Sequence, residues 1–200
     1  METYNNVAVI KKLQEKEVSL FTLADFSRLF SIDNKNTLYK KIQRLEEKGI
    51  IKRLTKGKYL FLLSKPNEFM IANFLRQPSY VSLESALSFY GIITGFLYQI
   101  TSVTLKKTKL YLFEEKTYQY TQLNKDLFWG YEKKENFLIA DKEKSLLDYL
   151  YLGYKGRKII NPEKLGSEFD LSEISRQKFK EYLKMINNPS LLKYLRKVKI

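Results

Sequence analysis

The spacing of apolar positions in the first third of the chain switches from helical to strand-like. Between Asn34 and Lys58, Leu38, Ile42 and Leu45 recur at i, i+4 and i+7, a single stripe on a helix. Asp33 or Asn34 can cap its start, and Gly49, after Lys48 in the last turn, suits the left-handed residue that ends a helix. IIKRL and KYLFLL then flank Thr55-Lys56-Gly57, the short glycine-containing turn of a hairpin. Upstream, Val7, Ile10 and Leu13 mark a helix over residues 5–16, and Val18 to Phe21 is a short extended run able to pair with the hairpin. Leu23, Phe26, Leu29 and Phe30 give a second helix its apolar face, and Thr22 with Asp25 three residues on is a capping-box pattern at its start. Ser31 to Asn34 forms the turn, with Ile32 plugging the angle between helices. The predicted order is helix, short strand, helix, turn, helix, hairpin, which is that of a winged helix-turn-helix.

Ser64-Lys65-Pro66-Asn67 predicts a boundary, with a winged-helix domain over residues 1–64 and an α+β domain with C-terminal helices over 65–200. A helix over Glu68 to Leu75 carries Phe69, Ala72 and Leu75 on one side, and Gln77-Pro78-Ser79 breaks it. Ser82 is placed to cap a helix with Leu83, Ala86, Leu87 and Tyr90 inward and Gly91 as its stop. Strands are predicted at Ile100–Lys106, Lys109–Phe113, Thr117–Tyr120 and Phe137–Ala140, and Leu127–Tyr131 carries a weaker signal. Asp141 to Tyr151 is a helix, Gly153 to Asn161 a basic connector, and Asp170 with Glu173 opens a helix that Asn187-Asn188-Pro189 ends. Ser190 then caps a last helix with Leu191, Leu195 and Val198 on one face and Lys193, Arg196, Lys197 and Lys199 on the remainder.

Charge sharpens this picture. The net charge of +14 favours a polyanion, and it is unevenly spread. Residues 1–64 carry 13 basic against 7 acidic side chains, residues 65–152 carry 11 against 10, and residues 153–200 carry 12 against 5. Of the 24 residues from Lys35 to Lys58, nine are Lys or Arg, and only Glu46 and Glu47 are acidic. A helix fits the major groove, and its outer face reaches base edges and phosphates. Asn36, Thr37, Lys40, Lys41 and Arg44 are therefore the candidate groove contacts. Lys52, Arg53, Lys56 and Lys58 on the hairpin are the candidate backbone contacts. Such binding weakens steeply with salt, because each neutralised phosphate releases counterions.

Composition removes several chemistries. With no Cys and no His, disulfides, thiolate nucleophiles, the usual zinc sites and imidazole acid–base catalysis are excluded. The eight glycines never fall in a phosphate-binding pattern, and no cofactor or metal site is expected. Asp126, Glu132 and Glu114 superficially suggest a nuclease carboxylate set, but they lie in a Lys/Glu-rich, loop-like stretch, so no enzyme is expected. Tyr118, Tyr120 and Tyr131 are weighed as a base-stacking surface against packing on a sheet, and packing is the stronger reading. No stretch approaches the ~20 apolar residues that span a bilayer, and no secretory signal is visible, so the expectation is a cytoplasmic protein without membrane association.

Four segments then carry a resemblance. YVSLESALSFYGII at Tyr80 to Ile93 resembles the Tyr-x-Ser-Leu-x-Ser-Ala-Leu…Tyr-Gly-Leu-Ile signature of AbiEi-type antitoxins. Ile100 to Thr104, with Lys106, Lys107 and Lys109 beyond it, resembles that family's first sheet strand. Phe128-Trp129-Gly130-Tyr131 resembles its Phe-Phe-Gly-Tyr element. Glu143, Lys144, Ser145, Leu146, Leu147 and Asp148 resemble its Glu-Lys-Ala-Leu-Leu-Asp helix, with Ser145 in place of the common Ala and Lys142 in place of the usual Pro. The resemblance spans nearly the whole chain and implies the antitoxin of a type IV toxin–antitoxin pair used in phage abortive infection. In such a system the N-terminal domain represses the operon by binding its double-stranded operator. The C-terminal domain counters a nucleotidyltransferase-like toxin without a stable complex. The rival expectation is a stoichiometric inhibitor that grips the toxin through its basic C-terminal helices, or another winged-helix regulator.

Overall fold

A computed structural model of the protein describes residues 5–94, 98–156, 169–186 and 188–197. The fold is mixed α+β with two sheets, and the chain divides into two compact units, Met1–Leu75 and Arg76–Ile200.

The first unit runs α1 (Asn6–Glu15), β1 (Leu20–Thr22), α2 (Leu23–Phe30), α3 (Lys35–Glu47), β2 (Ile51–Thr55), β3 (Lys58–Phe61) and α4 (Glu68–Leu75). α4, which follows the expected boundary after Ser64, falls with the first unit. Its three-stranded sheet has the order β1-β3-β2, all antiparallel, with Leu20 opposite Leu60 and Arg53 opposite Tyr59. The extended run before the second helix thus joins the hairpin. The capping box at Thr22 forms as the sequence predicts: the Asp25 amide donates to Thr22 Oγ1 (3.2 Å) and the Thr22 amide to Asp25 Oδ2 (2.9 Å). Hydrogen bonding from Thr22 holds the Asp25 carboxyl below its ordinary value. Val9, Leu13, Phe26, Phe30, Ile42 and Leu45 lie in one apolar core, and Ile32 packs among them at the turn.

The second unit runs β4 (Ser79–Val81), α5 (Glu84–Phe89), β5 (Gln99–Thr104), β6 (Lys109–Phe113), β7 (Lys116–Gln122), β8 (Tyr131–Lys134), β9 (Phe137–Ala140), α6 (Lys142–Tyr154), α7 (Arg176–Ile186) and α8 (Pro189–Lys197). Its six-stranded mixed sheet has the order β6-β7-β5-β4-β9-β8. β4 and β8 are strands the sequence reading did not predict. Leu127–Tyr131 is not one strand but a 3-10 turn at Lys125–Leu127 leading to β8.

Three caps differ from expectation. Ser82 does not cap α5; its hydroxyl donates to Asp148 Oδ2 (2.8 Å). Leu83 precedes α5 without a capping side chain, and Thr101 Oγ1 accepts from the Ser85 amide (3.0 Å) instead. α7 ends at Ile186, ahead of Asn188-Pro189 as expected, but Ser190 does not cap the last helix: Pro189 opens α8, and Asn188 Oδ1 caps it through the Leu191 amide (3.0 Å). Proline suits a first helical position because its missing N–H has no partner there. Asp170 caps a 3-10 turn at Leu171–Glu173 ahead of α7. Residues 157–161 of the basic connector, Asn187, and the terminal Val198 and Lys199 lie outside the described residues.

Three of the four segments that carry the resemblance meet at a buried ion pair. Lys144 and Asp148, one turn apart on α6, pair at 1% exposure each. Lys144 Nζ also donates to Tyr80 Oη (3.0 Å), whose hydroxyl donates to Asp148 Oδ2 (3.0 Å). Burial pushes the Asp148 carboxyl up, against the pull of Lys144 and the two hydroxyls. Burial, and then the Asp148 charge, hold the Tyr80 phenol well above its ordinary value, so it remains a donor. Gly130 closes the site: it adopts φ +70°, and a Cβ there would stand 2.9 Å from Lys144 Cγ. Phe128 and Tyr131 pack on the Tyr80 ring at 4.9 and 4.7 Å, and Lys144 Nζ lies 5.0 Å from the Trp129 ring.

Candidate nucleic-acid interface

The helix α3 owes its two faces to its spacing. Leu38, Ile42 and Leu45 are buried, and α3 packs against β2. Asn34 caps its start, accepting from the Thr37 amide (3.0 Å) and hydroxyl (3.3 Å). Gly49 ends it at φ +63°, with its amide donating to Glu46 O and that of Ile50 to Leu45 O (both 2.9 Å). The helix is therefore fixed at both ends.

Asn36, Thr37, Lys40 and Arg44 are exposed on the side away from the core. Lys41 is not equivalent to them. It is half-buried, and its Nζ donates to Asn6 Oδ1 of α1 at 3.3 Å. Burial lowers its pKa, and the charges of Arg44 and Lys48 lower it further. The reason is positional: Lys41 follows Leu38 by three residues and precedes Leu45 by four, so it flanks the apolar stripe. Tyr39, not among the expected contacts, is 55% exposed. It lies one turn before Gln43, which donates to Glu47 Oε1 (2.9 Å) on the same exposed side. Tyr39 lies about 80° from the midpoint of Leu38 and Ile42 on the apolar stripe, at the border of the two faces, so the helical spacing alone does not signal its exposure.

On the hairpin, Lys52, Arg53 and Lys56 are exposed. The turn passes through Lys56 and Gly57, the latter at φ +74°, and the register shifts between Arg53 and Thr55. Lys58 is half-buried and engaged within the first unit. Its Nζ donates to the carbonyls of Phe74 (2.6 Å) and Leu75 (3.2 Å) and sits 5.1 Å from the Phe74 ring. A cation there satisfies the last carbonyls of α4 and complements that helix's dipole, so Lys58 tethers α4.

The other candidates scatter. Tyr118 and Tyr120 are buried, so they offer no base-stacking face, while Tyr131 stacks on Tyr80. Glu132 Oε1 pairs with Lys134 (3.3 Å), Asp126 lies in the 3-10 turn, and Glu114 in the turn between β6 and β7. Among the described residues no three acidic side chains gather as a metal-ion set, and no helix is long and apolar enough to cross a membrane. No protein-family model matches the chain, and no curated protein matches it.

Proposed function

We propose that the protein is a DNA-binding repressor of its own operon and the antitoxin of a type IV toxin–antitoxin pair, acting in the cytoplasm without a cofactor. The observation that carries the DNA half is the two-sidedness of α3. One face is sunk in the core, and the opposite face presents Asn36, Thr37, Lys40 and Arg44 to solvent. The order α1-β1-α2-α3-β2-β3 and the exposed Lys52, Arg53 and Lys56 support a winged helix-turn-helix. In this reading Arg44, Lys40 and Thr37 enter the major groove, and the hairpin holds adjacent phosphates.

The antitoxin half rests on the resemblance of the segments around Tyr80, Trp129 and Lys144, and its counterpart is a nucleotidyltransferase-like toxin. Two experiments test the two halves. A gel-shift titration with the DNA upstream of the operon should give a salt-sensitive complex. Co-expression with a nucleotidyltransferase encoded beside it should restore growth without co-purification. Met185 (63% exposed) and Leu192 (39%), set among the basic residues of α7 and α8, favour one rival, a stoichiometric inhibitor. Co-purification of a stable toxin complex would favour that rival over the type IV reading.

A further inference from the structure

The six-stranded sheet of the second unit has two edges, and they differ in chemistry. The β8 edge carries Glu132, Lys133 and Lys134, charges of the kind that keep an edge from pairing with another chain. At the other edge, β6 places Leu110 and Leu112 at its centre, 58% and 68% exposed. Both lie on the opposite side of the strand from Phe113, which is buried.

Backbone geometry sharpens the contrast. β6 and β7 are joined by the two-residue turn Glu114-Glu115, with Phe113 opposite Lys116. Residues flanking such a turn exchange hydrogen bonds, so Phe113, Tyr111 and Lys109 bond inward to β7. The amides and carbonyls of Leu110 and Leu112 therefore point outward. The strand is also asymmetric in charge along its length: Lys106, Lys107 and Lys109 lie at one end and Glu114 and Glu115 at the other.

We propose that β6 is a self-association edge whose partner is β6 of a second copy of this chain, antiparallel across a two-fold axis at Tyr111. In that register Leu110 of each copy exchanges backbone hydrogen bonds with Leu112 of the other, and four leucines form one apolar patch. The lysine end of each strand lies beside the glutamate turn of its partner. A parallel arrangement would set lysines against lysines, so the charges select the antiparallel pair. A two-fold interface is self-complementary by necessity, and this strand's sequence meets that condition. The inference is independent of whether the first unit binds DNA.

Sedimentation velocity of the full chain tests it. The wild type should show a concentration-dependent dimer. Leu110→Lys with Leu112→Lys should abolish the dimer while leaving the far-UV circular dichroism unchanged, since both side chains are exposed. Lys107→Glu should weaken the dimer roughly tenfold, and adding Glu115→Lys to it should restore association. The chain has no cysteine, so Tyr111→Cys gives a clean cross-link. Facing residues in a non-hydrogen-bonded pair are about 4.5 Å apart at Cα, within disulfide reach. Oxidation should give a covalent dimer, whereas Val7→Cys, an exposed position in the first unit, should not. A wild type that stays monomeric at every concentration, a dimer that survives the two leucine replacements, or a charge swap that fails to restore pairing would overturn the proposal.

Discussion

In the first unit, the lysines and arginines of α3 and the hairpin stand mostly in solvent above an apolar core. In the second, a lysine and an aspartate are sunk into the core itself. The same residue types thus serve opposite ends. Charge left at the surface costs little and remains available to a partner, whereas charge buried with its counter-ion is committed to the fold. Replacing surface charges of the first unit should change binding and spare stability, and replacing buried charges of the second should do the reverse.

The largest effect is expected at the buried pair. Lys144→Ala strands the Asp148 carboxylate and should cost about 3–5 kcal/mol of stability in chemical denaturation. Lys144→Met with Asp148→Leu should recover part of that loss, because no unpaired charge is left. If the single variant melted like wild type, the contrast between units would disappear.

Next comes the hairpin. Replacing Lys52, Arg53 and Lys56 by Ala should lower the slope of log affinity against log salt by about 3, one for each phosphate contact, while changing stability by no more than about 0.5 kcal/mol. Lys58 separates the two kinds of role inside one strand. Lys58→Met removes a charged donor from the carbonyls of Phe74 and Leu75 and should cost about 1.5 kcal/mol, with little effect on the salt slope.

The smallest effect concerns pH. Asp25 has its folded-state pKa held below 3.8 by Thr22, so its contribution is fully present above that value and lost as pH falls through the folded value. Asp25→Ala should therefore destabilise the first unit by about 1 kcal/mol near neutral pH, and its gap from wild type in thermal melts should narrow at pH values below 3.8.

The first unit was largely legible from the sequence because its signals are local. The i, i+4, i+7 stripe of α3, the Thr22–Asp25 box and Gly57 in the turn each act within a few residues. The bonds of Lys41 and Lys58 to Asn6 and to the end of α4 are not legible in the sequence, because these partners are distant along the chain. The second unit was less legible for the same reason. β4 pairs with Thr104–Ser102 on one side and with Ile139 on the other, and three residues with so little periodicity carry no strand signal alone. Ser82 has the composition of a cap, but Asp148, 66 residues away, takes its hydroxyl. Glu132, Lys133 and Lys134 looked like a solvated loop because an edge strand protected by charge has a loop's composition.

The central claim is that the exposed basic face of α3 engages a duplex. Titrating fluorescently labelled operon-upstream DNA with wild type and with Lys40→Glu plus Arg44→Glu tests it most directly. The account predicts at least a roughly hundredfold loss of affinity in the double variant at unchanged thermal stability. Equal affinity of the two proteins, at matched salt, would contradict it.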